Sequence, residues 1–178
     1  MTAARRLSRL TAFLRREEGN VTVEFALLFP VIFFMFIWVA EIGMIMTRQV
    51  MMEHAVDRAM RELRLGRMQN PGADTLKTEI CRRAAILRNC NDTLMIELQP
   101  VDTATWALPA TSVSCRNRDQ PLQPVVTFSP GARNQIMLMR ACVLVEPIFP
   151  GTGLGVGLRK DSRGGFAMVA TSAFVNEP

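Results

Sequence analysis

The distribution of apolar residues divides the chain into stretches of different character. From Phe25 to Met46 apolar residues follow one another with a single charge, Glu41, among them. At 1.5 Å per residue these 22 positions span about 33 Å, enough to cross a bilayer as a helix. Beyond Met46 the run gives way to a period of three to four: Met52, Ala55, Val56, Ala59, Met60 and Leu63 are apolar, while Glu53, Asp57, Arg58, Arg61, Glu62 and Arg64 fall on other faces. The pattern predicts one helix from Asn20 to a stop at Gly66, about 46 residues or ~69 Å long. Asn70-Pro71-Gly72 marks a turn, and a second amphipathic helix is predicted from about Asp74 to Leu87, with Leu76, Ile80, Ala84 and Leu87 inward. After Asn91 the period becomes two. Leu94, Ile96 and Leu98 alternate with Met95, Glu97 and Gln99; Val125 to Phe128, Met137 to Pro147 and Phe166 to Val175 are further runs. Two helices followed by four short runs predict an α+β fold: a long N-terminal transmembrane helix extending into a domain with a second helix and an antiparallel sheet of about four strands.

The expected organisation is a leader over residues 1–19, a transmembrane helix over 20–46 and an α+β domain over 47–178. With 178 residues there is room for one ordinary soluble domain beside the span. Pro30 falls inside the helix, where its ring opposes the carbonyl four residues back, so a kink near Ala26 is predicted. The net charge of +5 does not point to nucleic acid. Arg5, Arg6, Arg9, Arg15 and Arg16 against Glu17 and Glu18 place +3 of it in the leader, and no zinc finger or basic stripe follows. Arginines flank the span on both sides, with Arg48, Arg58, Arg61 and Arg64 after it, so the positive-inside count is close to balanced. The cysteines break the tie. Cys81, Cys90, Cys115 and Cys142 all follow the span, as expected of an exported domain stapled in an oxidising compartment.

Four cysteines allow three pairings. Cys81 and Cys90 would sit about 13 Å apart on one straight helix, and a disulfide needs Cα atoms within about 7 Å, so joining them requires a turn in between. Cys142, in the middle of a predicted strand, would reach Cys115 in the loop before it. The favoured scheme is therefore Cys81 with Cys90 and Cys115 with Cys142. No cysteine pair has the spacing of common zinc motifs, and His54, the single histidine, lies elsewhere on the long helix; no metal or other cofactor is expected. Pro150-Gly151-Thr152-Gly153-Leu154-Gly155-Val156-Gly157 lacks the Lys-Ser or Lys-Thr and the following helix of a phosphate loop, and fits a connection between strands. With one histidine, no tyrosine and no Gly-x-Ser-x-Gly elbow, no catalytic set or small-molecule substrate site emerges. Two acids in the apolar run need reasons. A charge at the centre of a membrane helix costs about 2.5–3.5 kcal/mol on insertion scales, so Glu24 is a functional candidate, with snorkelling to the interface as its alternative. Glu41, next to Trp38 at helical spacing, is expected to snorkel at the far interface, Trp38 acting as a headgroup anchor.

The junction Arg15-Arg16-Glu17-Glu18-Gly19 followed by Asn20-Val21-Thr22-Val23-Glu24-Phe25, the proline in Leu28-Phe29-Pro30, the helical extension through Arg61-Glu62-Leu63-Arg64-Leu65-Gly66 and the tail Ala170 to Pro178 resemble a TadE-like minor pseudopilin of the tight-adherence (Flp pilus) assembly system. The resemblance implies cleavage after Gly19 by a prepilin peptidase on the cytoplasmic side. Asn20 becomes the new N-terminus, and Glu24 and Phe25 the family's acidic and aromatic pair. The freed α-amine of Asn20 would neutralise Glu24 of the same chain or of a neighbour and so help set subunits side by side. It further implies a bacterial inner-membrane protein with a periplasmic domain, working with other pilus-assembly proteins and minor pseudopilins in pilus biogenesis, adhesion and biofilm formation, without catalysis. Major Flp pilins carry Tyr where this chain has Phe25, and are far shorter when mature, which favours a minor component. The rival expectation is an uncleaved, single-pass envelope scaffold or binding protein.

Overall fold

The computed structural model describes residues 20–68, 71–106, 108, 113, 115–116, 118–119, 125–151 and 154–177. The leader with Gly19, together with Asn70, Thr152 and Gly153, lies outside the described residues. Among the described residues seven elements follow in chain order: α1 (Asn20–Arg64), α2 (Ala73–Arg83), α3 (Cys90–Thr93), β1 (Met95–Pro100), β2 (Ile136–Val145), α4 (Leu154–Gly157) and β3 (Phe166–Val175). The chain divides into two compact units, Met1–Ala40 and Glu41–Pro178.

Helix α1 runs without interruption through Pro30. Its end is chemically specified. Gly66 takes φ +63, a region open to glycine at little cost; its N–H bonds the carbonyl of Leu63 at 3.0 Å and that of Arg67 bonds the carbonyl of Glu62 at 3.0 Å, the paired bonds of a Schellman stop. In the first unit, the described part of α1 leaves its apolar side chains exposed, Phe25, Leu27, Ile32, Met35 and Phe36 all above 60%. Hydropathy over this part is high enough, and the helix long enough, for a membrane span.

In the second unit, the three strands form one antiparallel sheet in the order β1-β2-β3. Alternation sends Ile96 and Leu98 of β1, Met137, Met139, Ala141, Val143 and Val145 of β2, and Phe166, Met168 and Ala170 of β3 into one core with Met52, Ala55, Val56, Ala59 and Met60 of α1 and Leu76 and Ile80 of α2. Helix α1 follows the direction of β3, tied to it by Gln49 Nε2 donating to the carbonyl of Val169 (2.9 Å), by Ser172 Oγ donating to Asp57 Oδ1 (3.1 Å) and by the Arg64–Glu177 ion pair.

Three expectations change. The sheet has three strands, not four: Val125 to Phe128 contributes an isolated parallel bridge between Phe128 and Leu98. There Leu98 donates to the carbonyl of Thr127 and Ser129 donates to that of Leu98; the next rung would need an N–H from Pro100, which has none, so the ladder stops. Helix α2 ends at Arg83, four residues short of the predicted Leu87, and Ala84 departs from helical geometry. The C-terminal half of β2 is buried on both faces, Arg140 to Val145 without alternation, because the segment holding Cys115 is fastened over the outer face through Cys142.

Candidate functional site

The processing junction is the first candidate. Gly19 cannot be placed, and of Asn20 only the backbone is described, as the first residue of α1. Glu24 and Phe25 follow on an exposed surface, Phe25 at 63%. Phe25, Phe29 and Phe33, each four residues apart, stack their rings along one side of the helix with centroids 5.3 and 5.7 Å apart. Among the described residues Glu24 has no hydrogen-bond or ion-pair partner. The geometry is that of a helix surface with its one carboxylate unspent inside an apolar, aromatic environment.

Glu41 behaves otherwise than expected. Instead of snorkelling it is buried, 1% exposed, and its Oε1 accepts the N–H of Phe149 at 3.1 Å. Its Oε2 is also buried, without a hydrogen-bond partner among the described residues. A depth argument from the apolar run missed this because the donor lies 108 residues away in the connection after β2, and nothing local in the sequence points to it. The expectation treated the helix as alone in lipid, whereas a loop of the second unit covers this position.

The cysteines are joined as Cys81–Cys90 and Cys115–Cys142, with Cα separations of 5.6 and 5.3 Å. The early end of α2 makes the first bridge possible: the chain turns after Arg83 and re-enters a helical turn, α3, at Cys90, with Asn89 at φ 54 setting the approach. Beside the second bridge lies an ion cluster that sequence reading did not single out. Arg118 holds Asp161 with two parallel bonds, Nε to Oδ2 at 2.7 Å and Nη2 to Oδ1 at 2.8 Å, and reaches Glu146 with Nη1 at 2.7 Å. Asp161 also accepts the N–H groups of Gly165 and Arg163. The Arg118 guanidinium, outweighing the cost of burial, holds the Asp161 carboxyl below the usual carboxylate range, and the two acids raise Arg118 in turn. Hydrogen bonds from Thr105 and the Ala104 amide lower Asp102 likewise, and Arg82, ahead of Arg83, lowers Glu79. All three acids are stabilised as anions by fixed donors, an arrangement of structural pairing and not of a proton donor poised near neutrality.

His54 is exposed on α1, and among the described residues no group of three or more His, Cys, Asp or Glu side chains is placed to hold a metal ion. The glycine-rich stretch connects β2 to β3, with Gly155 packed so closely on the Phe149 carbonyl that a Cβ there would lie 2.5 Å from it.

Residues 19–61 match the family model of the TadE-like proteins. That stretch, 43 of the chain's 178 residues, is similar to the TadE-like proteins. It begins at the junction glycine, contains Glu24, Phe25, Pro30 and Glu41, and stops within the buried stripe of α1, before α2 and the sheet. No curated protein matches the chain, and no solved structure does.

Proposed function

We propose that this protein is a minor pseudopilin of a Tad/Flp-type pilus, anchored by α1 in the bacterial inner membrane with its N-terminus cytoplasmic and residues 47–178 in the periplasm. A prepilin peptidase cuts after Gly19, and the released amine of Asn20 pairs with Glu24 of a neighbouring helix. The observation that carries this reading is Glu24, without a partner among the described residues, on an exposed apolar helix directly after the junction where the TadE-like match begins. A carboxylate in an apolar setting is stabilised by a cation, and the cut supplies one four residues away. Assembly then proceeds by helix packing, and support of adhesion and biofilm formation follows from building the appendage. The oxidising side of the membrane suits the two disulfides.

N-terminal sequencing of the protein purified from its own membranes tests the cut: a start at Asn20 is expected, and a start at Met1 in cells that build pili normally favours the uncleaved scaffold. Glu24→Ala is expected to leave insertion and cleavage intact while co-purification with other pilus-assembly proteins drops several-fold. Undiminished co-assembly would remove Glu24 from the mechanism.

A further inference from the structure

We propose that the loop from Pro147 to Lys160 is a second membrane contact, whose apolar side chains Ile148, Phe149 and Val156 enter the phospholipid leaflet at the level of Glu41 to Met46. The proposal rests on the reading of α1 as a membrane span. Glu41 belongs to the apolar run that ends at Met46, and the five residue steps from one to the other rise only about 7.5 Å along a helix. Because Phe149 donates its N–H to Glu41 at 3.1 Å, the backbone of the loop sits at the depth of Glu41 wherever the membrane boundary falls.

The loop is built for that depth. Ile148, Phe149 and Val156 are 46, 39 and 66% exposed, and on the adjacent turn of α1 Ile42 and Met46 are 40 and 58% exposed. In water this is an uncovered apolar edge; in a leaflet it is an anchor. Backbone polar groups near hydrocarbon must find partners within the protein, and the loop meets this condition largely through its own composition. Pro147 and Pro150 have no N–H to satisfy. The N–H of Phe149 goes to Glu41, the carbonyl of Glu146 accepts Arg48 Nη1 at 2.9 Å, and the carbonyl of Pro150 accepts Lys160 Nζ at 2.9 Å. Gly155, lacking a Cβ, lets α4 close onto the Phe149 and Pro150 backbone. The two cations that brace the loop, with exposed Arg159 beside Lys160, suit the anionic phosphates of a headgroup layer.

The test uses the full chain in vesicles of phosphatidylethanolamine and phosphatidylglycerol, with tryptophan as the depth reporter. Native Trp38 and Trp106 serve as internal standards, each kept alone after replacing the other by Phe. In the background lacking both, Val156→Trp and Ile148→Trp are made separately, so that one failed variant does not end the test. Lipids brominated high on the acyl chain are expected to remove about half of the emission at 156 and 148, as for side chains seated ~5–10 Å into the interface. They should leave Trp106 unaffected, because it follows β1 at the far end of the sheet from Glu146. Emission at both reporters that aqueous acrylamide quenches as fully as Trp106, while Trp38 responds to bromine, overturns the loop contact and leaves the span standing. Shielding from bromine and acrylamide together means that protein covers the loop, which also overturns it. If Trp38 does not respond to bromine, the span itself is wrong and the loop contact falls with it.

Discussion

Residues 21–40 and 41–64 belong to one helix, yet they answer opposite demands. The first stretch is apolar nearly all round, carries one charge, and exposes almost every side chain. The second, from Met52 on, confines its apolar residues to a stripe, with Met52, Ala55, Val56, Ala59 and Met60 at most 3% exposed, and crowds charges onto the remaining faces. Backbone hydrogen bonding is the same in both. What differs is the solvent each expects: lipid makes no distinction between faces and so imposes no period, whereas a sheet on one side and water on the other impose a period of 3.6. The treatment of charge differs in parallel. Beyond residue 41 partly buried acids are met by donors, Glu97 by Arg140 across the β1–β2 pair at 2.6 Å and Asp161 by Arg118, while Glu24 has no partner among the described residues. A charge with no partner among the described residues is informative only against a background in which the protein elsewhere supplies them.

Cutting the disulfides should separate the two stretches most widely. The chain-entropy estimate assigns about 3 kcal/mol to Cys81–Cys90 and about 3.5 to Cys115–Cys142, comparable in sum with the whole stability of a small domain. Reduction of the detergent-solubilised protein is expected to abolish the near-ultraviolet circular dichroism and cooperative melting of residues 41–178 while the helical signal of the apolar stretch persists. Melting unchanged by reductant would mean that the core alone holds the second unit. A smaller contrast comes from two methionines on the same helix. Met52→Ala, at a position with no exposure, is expected to cost about 2–5 kcal/mol in chemical denaturation, and Met35→Ala, at 61% exposure, less than about 0.5. Equal losses would show that Met35 packs within the chain and that the described surface is not the one lipid meets.

Elements with a strong local signal were legible in the sequence. The stop at Gly66 depends on a residue that tolerates positive φ, and the alternation in Phe166 to Val175 matched β3 at both ends, since period and punctuation are properties of contiguous residues. The misses involve partners distant in sequence. Glu41 was misplaced because Phe149 was invisible from it, Val125 to Phe128 because a β-like run does not reveal that its neighbour is Pro100, and the Arg118–Asp161–Glu146 cluster because three unremarkable charges meet only after β2 and β3 pair. The end of α2 at Arg83 was hidden for a related reason: the apolar spacing continued to Leu87, but the bridge to Cys90 needs the chain to turn sooner. Of the candidate site, Glu24 and Phe25 could be placed on the helix from spacing alone.

The Arg118 cluster sharpens the contrast in charge handling, because its effect should be tunable by acid. Asp161 has a folded-state pKa below the ordinary value of about 3.9, so the folded state prefers the anion; its contribution is complete above that value and disappears as pH falls through the lowered one. Arg118 and Asp161 are 14 and 20% exposed, which leaves the pair worth about 1–3 kcal/mol after solvent screening. Arg118→Ala should therefore lower stability by about that amount near neutral pH, with wild type and variant converging in acid once Asp161 is protonated in both. Arg64→Ala provides the reference: Arg64 and Glu177 are 47 and 43% exposed, and their pair is expected to contribute at most about 1 kcal/mol, fading with added salt. If the Arg118 variant stays equally impaired from neutral to acid, the side chain acts by packing its guanidinium plane against Gly165, and ion pairing is not what fastens the connection after β2.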